Sequence, residues 1–206
     1  MKELLFLFTA AAGALLGWML GHFLRSILWK ECRIHFPKGF AEIGSAFLFV
    51  LSVWMEGMPV AFDRRWTISA GILLLAGAAA MADVMEKRIP NGITAAVGIF
   101  SSAGFIGTSG SVWAEQFEGM LVAGGLLLAA AILSGGGLGG GDVKLAAALG
   151  LFLGSDAALR MLWAALFLAA VFCLWGLLGG RRSRKDEMAL GPFFLAGTVV
   201  VLYMGI

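Results

Sequence analysis

Asp83 and Asp142 are the residues of this 206-residue chain best suited to chemistry. Asp83 follows an apolar run, and Asp142 directly follows Gly139-Gly140-Gly141. An ionised carboxylate is costly at membrane depth, so such residues tend to face a polar cavity and mark function. The chain has only 13 Asp and Glu, and two of them at the ends of membrane-type segments point to a shared site. Neighbouring carboxylates hold one proton between them, because like charges at short range resist ionising together. The ionised member can activate water. The protonated member polarises a carbonyl and later supports proton transfer to a departing amine. Such a pair titrates as a unit, and the sequence assigns the proton to neither aspartate.

Each aspartate sits in a stretch that also has a plainer reading. Asp83 opens Asp83-Val84-Met85-Glu86-Lys87-Arg88-Ile89-Pro90-Asn91. An apolar helix is expected to end near Asp83. Pro90 disfavours helix at Ile89 and suits the first turn of the next helix, where Asn91 could help to cap. Alternatively, residues 83–88 are a wet loop with internal ion pairs. Asp142 lies in Gly139-Gly140-Gly141-Asp142-Val143-Lys144, after a run of glycines from Gly135. Glycines make poor helix but let backbone pass close to a substrate or another helix. Asp142 would then open a helix whose dipole favours a carboxylate. The plainer alternative is a flexible linker with Asp142 as an N-cap; a phosphate loop lacks its Gly-Lys-Ser or Gly-Lys-Thr ending. Lys144 and Lys87 either orient polar groups or reach for the interface. Glu42 either lines the cavity or favours a helix start.

Eight apolar segments must position these residues: 4–28, 40–55, 66–82, 92–106, 117–133, 144–154, 158–178 and 189–204. Hydrophobic residues make up 60% and charged ones 14%, with mean hydropathy +0.93, against about 25% charged in a soluble domain. The expected fold is an all-α, polytopic bundle in a lipid bilayer, one domain over residues 1–206. Its sixth segment is too short to cross alone, since crossing takes about 20 residues; it extends through Asp156 or enters part-way. Lys and Arg orient the bundle. Eleven fall on one side (Arg25, Lys30, Arg33, Lys38, Lys87, Arg88, Lys144, Arg181, Arg182, Arg184 and Lys185) and four on the other (Lys2, Arg64, Arg65 and Arg160). The richer side should be cytoplasmic, and both aspartates fall on it. Nucleic acid is not an expected partner, because the one dense basic run is short and lies between apolar segments. Cys32 and Cys173 have no metal-ligand spacing, and His22 and His35 have no partner at such spacing, so no metal is expected.

With these residues in view, the chain resembles the type IV prepilin peptidases, membrane aspartyl proteases of the GxGD kind. Asp83 with Ile89-Pro90-Asn91, and Gly139-Gly140-Gly141-Asp142-Val143-Lys144, carry the resemblance. Weaker likenesses run through Gly17, Gly21, Arg25, Phe36-Pro37 and Glu42, and through Leu190-Gly191-Pro192-Phe193. The resemblance implies that Asp83 and Asp142 are the catalytic pair. Gly139, Gly141, Lys144, Pro90, Asn91 and Glu42 are candidates for support or substrate binding. It implies prepilin or pseudopilin substrates, cut after a short basic leader at the cytoplasmic edge of a bacterial or archaeal inner membrane. Proteolysis would need no cofactor. Many members also carry a cytoplasmic insert with two CxxC pairs that bind zinc, and methylate the new N-terminus with S-adenosylmethionine. Here that region is compressed to residues 29–39 with only Cys32, so zinc should be absent and methyl transfer is left open. A presenilin-like protease is the competing enzyme class. A small transporter, with a glycine-broken sixth segment, is the competing non-enzyme class.

Overall fold

Apolar runs punctuated by glycine and proline leave the backbone one economical option in lipid, which is to satisfy its hydrogen bonds within helices. The computed structural model describes residues 64–135, 137–179 and 188–204, and those residues form six helices and no strand. They are α1 (Arg64–Glu86), α2 (Asn91–Ala103), α3 (Gly110–Leu133), α4 (Gly140–Leu153), α5 (Ser155–Leu178) and α6 (Gly191–Met204). The segments expected at 4–28 and 40–55, with Glu42, Cys32 and both histidines, lie outside the described residues. The chain divides into two units, Met1–Ala78 and Ala79–Ile206. The last turns of α1, from Ala79, belong to the second unit, which carries both aspartates.

Ile68–Glu86, Gly110–Leu133 and Ser155–Leu178 are long and apolar enough to cross a membrane. Helices of 24 residues, such as α3 and α5, reach about 36 Å against a hydrocarbon core of about 30 Å. Three boundaries differ from the sequence expectation for local reasons. Helix α1 does not stop near Asp83 but runs to Glu86, where Lys87 turns left-handed at φ 51°. Helix α3 begins at Gly110, seven residues before the expected 117, because the Phe105–Trp113 and Trp113–Phe117 ring contacts anchor its first turns. The sixth segment ends at Leu153 and does not extend through Asp156. Gly154 at φ 81° breaks it, and α5 starts at the next residue.

In the second unit α4 is the central helix, touching α2, α3, α5 and α6. Its contact with α3 is backbone against backbone. A Cβ on Gly119 would strike the Gly150 carbonyl, and one on Gly150 would strike the Gly119 carbonyl. Small residues let membrane helices approach this closely and recover van der Waals contact. Against α2, the buried Ser101 hydroxyl lies 2.7 Å from the Val97 carbonyl and 3.1 Å from that of Ala148, sharing its proton across the two helices. Meanwhile Trp163, Phe167, Leu174, Trp175 and Leu178 of α5 point outward, each more than half exposed. Such an outer face suits lipid rather than water.

Candidate active site

Asp83 occupies the last full turn of α1 and is buried, 4% exposed. Its Oδ2 accepts a 2.7 Å hydrogen bond from the Gly191 amide, at the N-terminus of α6. The first amides of a helix have no intrahelical acceptor, so Gly191 can donate outward, and the Leu190 amide bonds the same carboxylate. The helix dipole adds to the attraction for a carboxylate. A Cβ on Gly191 would come within 3.0 Å of Ala80 Cα and 3.1 Å of Asp83 Cβ and Oδ2. Glycine is what allows this approach. In sequence, Gly191 stands out only as part of Leu190-Gly191-Pro192-Phe193, which assigns it no role.

Asp142 does not cap α4. Gly139 is the N-cap and Asp142 the third helical residue, from which its carboxylate reaches back to the Gly139 N–H. This is the acidic half of a capping box, with glycine in place of the usual hydroxyl residue. Its Oδ1 is buried and has no hydrogen-bond partner among the described residues. The residue precedes the apolar part of α4. Burial, and then the nearby charge of Asp83, push its carboxyl up to about 6, with the Gly139 N–H opposing. The two aspartates, 59 positions apart in sequence, are therefore within electrostatic reach. One has a firm donor, and the other an oxygen left open.

The remaining predicted residues gather around the same turn. Ile89 lies against Gly141, where a Cβ would meet Ile89 Cβ at 3.1 Å. Pro90 is the N-cap of α2, its carbonyl accepting from the Ile93 and Thr94 amides. Asn91 does not cap that helix; its Oδ1 instead accepts a 2.9 Å hydrogen bond from Lys144 Nζ. Gly139, Gly141, Lys144, Pro90 and Asn91 thus stand beside Asp142, while Glu42 is outside the described residues. Among the described residues no three His, Cys, Asp or Glu side chains gather as metal ligands.

Fold and site together define a multi-pass, all-helical membrane protein with two electrostatically coupled carboxylates at one end of its central helix. The model of the type IV leader peptidase family matches residues 70–174, a stretch containing both aspartates. A similar protein, the prepilin leader peptidase/N-methyltransferase of Bacillus subtilis (strain 168), is 30% identical over 182 residues, covering 85% of this chain and 70% of that relative. No solved structure matches. The chain belongs to the type IV leader peptidase family.

Proposed function

We propose that this peptidase is of the aspartic type, with Asp83 and Asp142 sharing one proton and acting on prepilins or pseudopilins. What supports the reading is the placement of Asp83 in the last turn of α1 and Asp142 in the first turn of α4, near enough for the charge of Asp83 to act on Asp142. The ionised carboxylate takes a proton from water as the oxygen attacks the scissile carbonyl carbon. The protonated one gives its proton to the carbonyl oxygen. Collapse of the resulting diol breaks the C–N bond, and a proton passes to the amine nitrogen. The substrate keeps its apolar helix in lipid while its basic leader stays in water. The glycine at their junction unwinds into the site at the cytoplasmic edge of the inner membrane. In this reading residues 1–206 are one peptidase domain of about eight crossings, counting the two segments before residue 64.

The name of the Bacillus relative pairs cleavage with N-methylation. S-adenosylmethionine would need partners for a charged amino acid and ribose hydroxyls. The groove beside α2 is lined by Ala95, Gly98, Ile99, Ile106, Trp113 and Leu151, with Ser102 almost its sole polar side chain, and does not suit that group. The test is cleavage of a synthetic prepilin-like polypeptide in detergent micelles by the intact protein, Asp83→Asn and Asp142→Asn, with the cut located by mass spectrometry. Both folded variants should lose cleavage. Turnover by either one removes the dyad, and a 14 Da gain (on the order of one methyl group) on the product would establish methyl transfer.

A further inference from the structure

The aspartate-bearing turns are fastened to each other at two points, one on either side of Asp142. Before it in sequence, Gly141 lies against Ile89. After it, Lys144 Nζ donates to Asn91 Oδ1 at 2.9 Å. Ile89 and Asn91 belong to the short link, residues 87–90 and the first residue of α2, that leads away from the Asp83 turn. Ile89 of the first fastening is buried, whereas the second is exposed. An exposed hydrogen bond between long or mobile side chains adds little to global stability, so stability does not account for the pairing. Asn91 could have turned back to cap α2, and does not. Lys144 could have extended into solvent, and does not.

We infer that Asn91 and Lys144 form a clasp that holds the Asp83 turn against the Asp142 turn and so positions the two carboxylates for joint action. Both are positioning residues: neither needs to touch the substrate. Opening the clasp lets the link rise from α4, and the coupling between the aspartates weakens while each carboxylate stays on its own helix. Lys87, the first residue of the link, is near enough to Asp83 for its charge to act on that carboxylate.

The inference rests on the aspartyl-pair reading, and the experiment separates the two. Full-length protein in micelles is assayed on the same synthetic polypeptide across pH, comparing Asn91→Leu, Lys144→Met, the double variant, Lys144→Arg and Asn91→Asp. The first two should lower kcat about tenfold, leave KM within about twofold, and move the alkaline limb of the rate profile to lower pH, because Asp142 feels less of Asp83. The double variant should be no worse than either single one, since both open the same contact. Lys144→Arg and Asn91→Asp, which keep a donor facing an acceptor, should restore the limb. A raised KM with an unmoved limb in Lys144→Met, with Asn91→Leu unaffected, would make Lys144 a substrate contact and overturn the clasp. Wild-type limbs throughout would overturn it as well, while leaving the aspartyl pair standing if both Asp→Asn variants are inactive.

Discussion

At the scale of single residues the two aspartates differ in what surrounds them. Asp83 is held by the Gly191 amide, whereas Asp142 keeps a buried oxygen without a donor among the described residues. Gly191→Ala should force α6 away from Ala80 and Asp83. A hydrogen bond to a charged group contributes about 1.5–3 kcal/mol, so kcat should fall roughly 10- to 100-fold with KM little changed, as initial rates on the synthetic polypeptide would report. Asp142 adds a pH dependence of two kinds. On the proposed mechanism, with its carboxyl pushed up to about 6, the pair keeps its shared proton below that value. The rate should fall about tenfold per pH unit above it. For stability, the folded value lies above the ordinary 3.8. The contribution is therefore fully present below pH 3.8 and lost as pH rises through about 6. Asp142→Asn should accordingly melt higher than the intact protein at pH 7.5 and match it near pH 4. A variant no more stable at pH 7.5 would mean that the carboxylate is not held in a disfavoured charged state.

At the scale of helices, what was legible in sequence was whatever local chemistry decides. Pro90 was expected at the start of a helix and caps α2. The glycine run was expected to admit close backbone, and Gly141 lies against Ile89. Other features depend on contacts far away in sequence. Asp83 finds its donor at Gly191, 108 positions on, and no pattern around Asp83 encodes that. Likewise Gly119 and Gly150 read as two among 30 glycines, and only their pairing across α3 and α4 gives them meaning. Gly150→Val should cost about 3 kcal/mol, because its methyls meet carbonyl backbone that cannot turn aside. That corresponds to roughly 10 °C in a chain of this size, read from thermal unfolding in detergent. Gly125→Val, on the same α3 but with open space where its Cβ would stand, should stay within about 0.5 kcal/mol. Equal losses at both positions would mean that valine disfavours the helix itself and that the close crossing is not what matters.

At the scale of the whole molecule, helix lengths and turn positions give the second unit two unlike ends. Glu115 and Gln116 near the start of α3 lie beside Gly154, so the α2–α3 and α4–α5 turns share one end. Asp83, Asn91, Asp142, Lys144 and Gly191 share the other. The aspartate end carries Lys87, Arg88 and Lys144; Arg181, Arg182, Arg184 and Lys185 fall between α5 and α6 in the sequence, outside the described residues. Toward the far end, the first turns of α3 carry Glu115 and Glu118, and those of α5 carry Asp156 and Arg160. Only the count of Lys and Arg near short loops sets orientation, and on the proposed function the aspartate end is the cytoplasmic one, where a leader made on the ribosome would first meet the membrane. This is checked by labelling with a membrane-impermeant maleimide after Cys32 and Cys173 are replaced by serine. Glu86→Cys, exposed at the end of α1, should react in inside-out vesicles and stay unlabelled in right-side-out ones. Ser109→Cys, exposed before α3, should do the reverse. The opposite pattern would put the carboxylates outside, away from any substrate whose leader has not crossed, and would sink the cytoplasmic cleavage reading even if both aspartates proved essential.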